Sequence, residues 1–357
     1  MNLAALRLCE KNIMSANQSI YGLLPEELET FFKENGQPAF RAKQIYDWLY
    51  GKQVSSFDEM KNLPAALRAL LSENYDFQSL EKVDVSGASG ETQKLLLRLS
   101  DGQMIETVII PAPKRGTNTV CISSQVGCVF GCAFCASGQK GVIRNLSAGE
   151  IVGQVMAVAR ELGERPNNVV YMGIGEPFDN YDEVMKSIRI LNHPAGLNIG
   201  ARKITVSTCG VVPGIQRFSE EGLQVELSVS LHAPDSEVRS EIMPVNETWP
   251  MDELLDACRA YTRKTNRIIT FEYTLIKGIN DSPEQARELV RRLRRFPCRV
   301  NLIPLSPVEE FDGERPSSES MKQFFETLEK AGINTTLRDS KGKDLKAACG
   351  QLRAQRL

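Results

Sequence analysis

Cys128, Cys132 and Cys135 stand in a C-x3-C-x2-C spacing within Gln125-Val126-Gly127-Cys128-Val129-Phe130-Gly131-Cys132-Ala133-Phe134-Cys135. Three thiolates this close, with no fourth cysteine or histidine beside them, can hold a metal centre and leave one coordination position open. A structural zinc site closes with four protein ligands, and four cysteines are the usual ligand set of an iron–sulfur cluster. The incomplete set points to a centre that binds something further, which is chemistry rather than scaffolding. Gly127, Gly131 and Gly138 let the backbone wrap closely around such a centre. The competing reading is a zinc site completed by Cys121, although a strand residue so far upstream is poorly placed to close a compact tetrahedron.

The scaffold that must position these thiols is an ordinary globular one. The chain has 357 residues, 42% hydrophobic and 25% charged, enough for one large domain and a smaller one. Its formal net charge of −2 gives no global basic field, so any nucleic-acid contact must use local patches. The first residues break their apolar run with Arg7, Glu10 and Lys11 too early for a secretory signal, and no apolar segment is long enough to span a bilayer. A cytoplasmic location without membrane contact is therefore expected. There the nine cysteines are reduced, and metal binding or catalysis outranks a disulfide framework.

The first 80 or so residues read as helices. Pro25 opens one with acids in its first turn, Phe40–Tyr50 carries apolar residues at helical spacing, and Leu63–Leu71 makes a third. Arg41, Lys43 and Lys52 read as a solvated face before a phosphate contact. Lys94–Ser100 and Gln103–Ile110 flank Asp101-Gly102, a hairpin signal. From Thr119 onward strands and helices alternate. Strands are expected at Val120–Ser123, Asn168–Met172, Lys203–Cys209, Gln224–Leu231, Ile269–Ile276, Arg299–Leu305 and Asn334–Arg338. Helices are expected at Ala148–Leu162, Tyr181–Leu191, Met251–Thr265, Ser282–Phe296 and Ser317–Ala331. Short apolar or β-branched strands in this alternation imply a parallel sheet, either doubly wound or a (β/α) barrel, closed or partial. The cysteine loop follows the first strand, where such folds keep their active residues.

C-x3-C-x2-C on the first loop of a (β/α) core resembles the radical S-adenosylmethionine superfamily. A narrower similarity rests on Cys121-Ile122-Ser123-Ser124-Gln125-Val126-Gly127-Cys128, Arg144-Asn145-Leu146, Met172-Gly173-Ile174-Gly175-Glu176-Pro177, Ser230-Leu231-His232-Ala233-Pro234, Val300-Asn301-Leu302-Ile303-Pro304 and Ala347-Ala348-Cys349-Gly350-Gln351-Leu352. These resemble, in the same order from about Ala39 to Leu352, the RlmN/Cfr family of RNA adenine methyltransferases. Gly175-Glu176-Pro177 looks more like the branch that methylates adenine C2 than the Cfr-like branch that methylates C8.

The resemblance implies a partial (β/α)6 TIM-like α/β barrel over residues 114–342, a helical RNA-binding accessory domain over 1–90, a β-hairpin connector over 91–113 and a catalytic tail over 343–357. It implies one 4Fe-4S cluster on Cys128, Cys132 and Cys135, whose fourth iron binds S-adenosylmethionine and splits it to a 5′-deoxyadenosyl radical. Gly175 and Glu176 would hold the cofactor's amino group, a sensible pairing of carboxylate with ammonium. Ser207, Ser230, Leu231 and His232 would contact its nucleoside, although a histidine taken alone is more often structural. Where the family usually has asparagine after the sixth strand, this chain has the shorter Ser306, which leaves that contact to a water or removes it.

The remaining assignments also rest on the resemblance. Cys349 would be methylated first, and its methylene radical would add to C2 of adenine. Cys121 would release the product through a transient Cys121–Cys349 disulfide. Glu106 would take the C2 proton, and strand alternation puts it beside Met104 and Val108 as a partly desolvated carboxylate. From the residues alone, Glu106 reads as an edge-strand glutamate facing water. Cys209, Cys258 and Cys298 read as packing thiols and Cys9 as an exposed terminal one.

The expected substrates are 23S rRNA and tRNA, the electron donor a flavodoxin or ferredoxin, and the oligomeric state a monomer. The last 17 residues carry Lys341, Lys343, Lys346, Arg353 and Arg356 against Asp344, a local charge of +4 suited to phosphate. Arg291, Arg292, Arg294 and Arg295 read as a solvated helix face. The rivals are a Cfr-like C8 methyltransferase and a non-catalytic zinc RNA-binding module.

Overall fold

The computed structural model describes residues 18–77, 80–338 and 341–353; Cys9 and Arg356 lie outside them. Its centre is one ten-stranded sheet. Seven strands are parallel: Thr117–Cys121, Asn168–Tyr171, Ile204–Thr208, Glu226–Ser230, Ile269–Leu275, Cys298–Pro304 and Asn334–Leu337, side by side in chain order. Six of them lead into helices, at Ala148–Leu162, Tyr181–Asn192, Val212–Phe218, the Ser236–Ile242, Val245–Thr248 and Met251–Thr265 series, Pro283–Leu293 and Ser318–Lys330. This is the partial (β/α)6 barrel expected, with a seventh strand at its edge.

Each strand alternates in the same sense. Val206, Val229, Phe271 and Leu302 are buried beneath the helices in the main core. Ser207, Ser230, Glu272, Thr274 and Arg338 face the opposite way and line one cavity. A sheet whose successive strands all meet one cavity has curled around it, and the polar lining suits a polar occupant. Local chemistry fixes the helices: Ser147 and Glu150 form a capping box, Gly163 ends that helix, and Ser282 with Gln285 caps Pro283–Leu293.

The expected two-strand connector is three antiparallel strands, Leu80–Ser86, Gln93–Leu99 and Met104–Ala112, and the last of them pairs with the first core strand. The hairpin is thus an extension of the barrel sheet. Leu80–Ser86 falls inside the segment expected to be helical; its mostly exposed, charged face hides the apolar signal of a strand. The N-terminal helices Pro25–Glu34, Arg41–Tyr46 and Ala65–Asn74 share the main apolar core with the barrel. Arg160 donates to the Tyr21 hydroxyl at 2.8 Å, tying this layer to the first barrel helix.

Candidate active site

The loop after the first strand is stitched to its neighbours by buried side chains. Gln154, fully enclosed in the first barrel helix, accepts from the Ser123 amide and the Thr107 hydroxyl at 2.8 Å and donates to the Ser123 carbonyl at 2.9 Å. Asn180 donates to the Ser124 and Leu146 carbonyls, and Gln125 accepts the Glu176 amide at 2.9 Å. Gly175 has φ +104°, and a Cβ there would meet Gln125 at 2.6 Å, so the loops after strands one and two touch through backbone.

Cys128, Cys132 and Cys135 reach the rim of the cavity from this loop. Burial pushes the Cys128 thiol up to about 12 and raises Cys132 well above its ordinary range. Metal ligation reverses that cost, because a coordinating thiol is held deprotonated. Cys121 points elsewhere, into an apolar cluster with Val108, Ile174, Ala347 and Leu352. A closed zinc site using it is therefore not what this loop builds. Cys209, read from sequence as packing, lines the cavity beside the triplet, whereas Cys258 is fully buried in the core and Cys298 packs against it.

Glu176 is buried on the cavity wall. Its Oε1 accepts the Phe178 amide at 2.9 Å and its Oε2 the Cys209 amide at 2.8 Å. Burial raises its pKa, and these amides oppose the rise. Ser207 and Ser230 line the same wall from strands three and four. His232 has φ +55°, and its Nδ1 accepts the Thr274 amide at 2.8 Å, which leaves the ring proton on Nε2. Burial, helped by Arg239, lowers its pKa to about 3, so it stays a neutral donor. Leu231 does not share the cavity: alternation turns its side chain into the main core, and its amide donates to the Glu272 carbonyl. Ser306 lines the cavity with an enclosed Oγ that has no hydrogen-bond partner among the described residues. That unpaired hydroxyl, three rim thiols and a carboxylate suited to an ammonium fit a cluster carrying S-adenosylmethionine.

The C-terminal tail closes the site. Ala136 donates to the Gly350 carbonyl at 2.7 Å and the Ser137 hydroxyl to the Leu352 carbonyl at 2.7 Å, so the tail sits on the turn just after the triplet. Cys349 consequently lines the cavity. It is open to water there, yet the surrounding protein raises its pKa, with Arg338 opposing. Cys121 lies near enough for the Cys349 charge to add to the burial that pushes it up to about 12.

Glu106 is not on an edge facing water. Its strand runs inside the sheet, and the side chain is 2% exposed beneath the tail. Its Oε1 pairs with Lys94 at 2.8 Å and its Oε2 accepts the Arg353 amide at 2.8 Å. The tail's positive charge is partly spent internally: Lys346 pairs with Glu309, and Arg353 grips Glu310 at 2.7 and 3.0 Å. Arg291 and Arg292 pair with Glu288 on their own helix, as a solvated face does.

Three further residues had no motif to announce them. Arg239 is fully buried and, among the described residues, donates to neutral oxygens, those of Leu231, Ser230, Cys209 and Asn246. Glu272 and Arg338 face the cavity near Cys349. The available signal for Glu272 and Arg338 was a charged residue in a stretch otherwise apolar or β-branched, whereas Arg239, in the short helix Ser236–Ile242, gave none.

The curled sheet, the cysteine loop at its mouth and the polar wall define a radical S-adenosylmethionine enzyme. The sequence model of the radical SAM superfamily matches residues 122–290, and that of the ribosomal RNA large subunit methyltransferase N-terminal domain matches residues 18–76. The chain is 50% identical over 340 residues to a probable dual-specificity RNA methyltransferase RlmN of Halalkalibacterium halodurans, covering 94% of this chain and 93% of that protein. It is 48% identical over 353 residues to the protein so named from Lysinibacillus sphaericus, covering 98% and 92%. The crystal structure of a radical SAM methyltransferase from Sphaerobacter thermophilus superposes with a TM-score of 0.90 at 48% identity, covering 94% of this chain and 99% of that one. The chain belongs to the RlmN family of RNA methyltransferases.

Proposed function

We propose that the chain methylates C2 of an adenine in the peptidyl-transferase centre of 23S rRNA and of an adenine next to the anticodon in tRNA. The observation that carries this reading is that Cys349 lines the same cavity as the cysteine triplet, with Cys121 as its neighbour. C2 is an electron-poor carbon that a sulfonium does not methylate directly, so a protein thiol must carry the methyl group to it. When bound, the cluster and S-adenosylmethionine supply the methyl group and, from a second cofactor molecule, a hydrogen-abstracting radical.

The side chains divide the remaining work. Glu176 holds the cofactor's ammonium, while Ser207, Ser230, the neutral His232 and the Ser306 hydroxyl meet its nucleoside. Leu231 contributes only backbone. Cys349 bonds through its methylene carbon radical to C2, the adduct gives up its one unpaired electron, which the bound cluster would accept, and Glu106, paired with Lys94 at 2.8 Å, takes the C2 proton. The Cys121 thiolate then attacks the Cys349 sulfur. A disulfide forms as the sulfur–carbon bond breaks, and the electron pair left on carbon takes a proton to complete the methyl group.

A flavodoxin or ferredoxin supplies electrons, and the enzyme works as a cytoplasmic monomer. Among the described residues no helix is long and apolar enough to cross a membrane. Residues 18–76 serve as the RNA-binding accessory region, and 341–353 as the described part of the catalytic tail.

Nucleoside mass spectrometry of RNA incubated anaerobically with the reconstituted protein is the test. We expect 2-methyladenosine; 8-methyladenosine alone would assign the chain to the other branch. A colourless protein retaining zinc without iron or sulfide would overturn both. Cys349→Ala should still cleave the cofactor while methylating no RNA, and full methylation by that variant would defeat the methylcysteine route.

A further inference from the structure

Glu272 is the one acid in the fifth core strand, Ile269–Leu275, and the assignments above give it no role. It is 5% exposed and lines the cavity. Its Oε1 accepts from the Ser228 hydroxyl at 3.2 Å and from the Asn301 amide nitrogen at 3.1 Å, one from each neighbouring strand. These bonds fix the carboxyl plane. Oε2 is enclosed and has no hydrogen-bond partner among the described residues. An orphaned carboxylate oxygen carries a desolvation cost that a strand so well packed would not retain without a ligand to relieve it. Burial raises the pKa of Glu272, and Arg338, which faces the same cavity from the end of the seventh strand, opposes that rise together with Asn301 and Ser228.

Its position narrows the ligand. Glu272 lies near enough to Cys349 for its charge to raise that thiol, so whatever fills the space beside it is next to the sulfur that must reach C2. An adenine offered to Cys349 through C2 presents its Watson–Crick edge to the wall. That edge bears one ring nitrogen, N1, that accepts and one exocyclic amine that donates. A base taken out of its stack is commonly read along this edge.

We propose that Glu272 is the adenine-recognition residue, its Oε2 accepting a hydrogen bond from the exocyclic amine of the target base. This rests on the adenine methylation proposed above and adds the group that selects the base. Ser228 and Asn301 act as positioning residues that hold the carboxyl plane.

The test is a cycle between protein and substrate. Purine riboside placed at the target position keeps C2–H and every ring nitrogen and lacks only the amine. With the reconstituted wild-type enzyme, kcat/KM should fall by about 10- to 100-fold on removing the amine, the range for a charge-assisted hydrogen bond. Glu272→Gln keeps the bonds to Ser228 and Asn301 through its carbonyl and turns an NH2 toward the cavity. It should slow the adenine substrate and bring the adenine-to-purine ratio to about one or below, with unchanged affinity for S-adenosylmethionine. A ratio equal to wild type in this variant would overturn the proposal. A fall in cofactor affinity with the ratio preserved would instead assign the carboxyl to the cofactor, and also overturn it. If the wild-type enzyme makes no C2-methylated product from either substrate, the proposed reaction fails, an outcome distinct from a lost preference.

Discussion

Cys121 shows how residue chemistry and burial pull against each other at this site. It sits among Val108, Ile174, Ala347 and Leu352, and burial first, then the neighbouring Cys349, push its thiol up to about 12. A resolving thiol reacts as thiolate, so its anionic fraction at neutral pH is small. Below that pKa the fraction rises about tenfold per pH unit, because a raised thiol gains charge only as protons are withdrawn. Alkylation of Cys121 in the protein, followed by mass spectrometry, should therefore accelerate steadily between about pH 7 and 9 without a plateau. A plateau near pH 8 would mean that the pocket does not desolvate the thiol. Cys121→Ala should leave the RNA bonded to Cys349, seen as an adduct surviving denaturing electrophoresis. The cysteine triplet was legible because ligand spacing is local. Glu272 and Arg338 were not, since their meaning arises only when separate strands align them around one cavity.

At the scale of elements, the long helices and the seven core strands follow from apolar runs and periodicity. Val212–Phe218, Ser236–Ile242 and Val245–Thr248 escaped that reading because four to seven residues are too few to show a helical period. Ser236–Ile242 matters most, since it carries Arg239 against the cysteine loop, where the Ala133 amide donates to the Ile242 carbonyl at 3.0 Å. A buried guanidinium held by neutral oxygens is costly until an anion approaches: burial lowers its pKa, and Cys209, Cys132 and Cys258 are the nearby groups that favour its charge. Arg239→Met should shift the reconstituted cluster's midpoint potential to more negative values, because the reduced, more anionic state loses its countercharge, while Arg239→Lys should largely keep it. Equal potentials in all three proteins would rule out the electrostatic role. Gln154 stitches the same loop from the other side. Gln154→Leu strands the Ser123 amide and carbonyl and the Thr107 hydroxyl, each worth about 1–3 kcal/mol when buried unpaired. We expect about 3 kcal/mol or more of lost stability in denaturant titration, together with reduced iron retention.

Across the whole molecule, the sheet extends from parallel barrel strands into the antiparallel set without a break, and this continuity builds the floor on which the tail rests. Val108 stands opposite Cys121 in register, and Lys94 opposite Val108, so the hairpin and the first core strand present Lys94, Glu106, Val108 and Cys121 on one face. A hairpin signal alone says nothing of what the hairpin pairs with, and so the buried place of Glu106 could not be read from alternation. The tail covers this face, and it is latched from the opposite rim by Glu309 and Glu310, which pair with Lys346 and Arg353. Exposed ion pairs contribute only about 0–1 kcal/mol each to global stability. On a short docked segment, the same energy is a large share of what separates closed from open. Glu309→Lys with Glu310→Lys should therefore leave the unfolding midpoint nearly unchanged. Hydrogen exchange over residues 341–353 should quicken, and Cys349 should alkylate faster than in the unaltered protein. Higher salt should reproduce part of that effect in the wild type, since it screens exposed charges far more than the enclosed Lys94–Glu106 pair. If exchange quickens throughout the barrel instead, the acidic rim is a structural support for the fold. If it quickens only in the tail, the rim is a latch that governs when the methyl-carrying cysteine meets RNA.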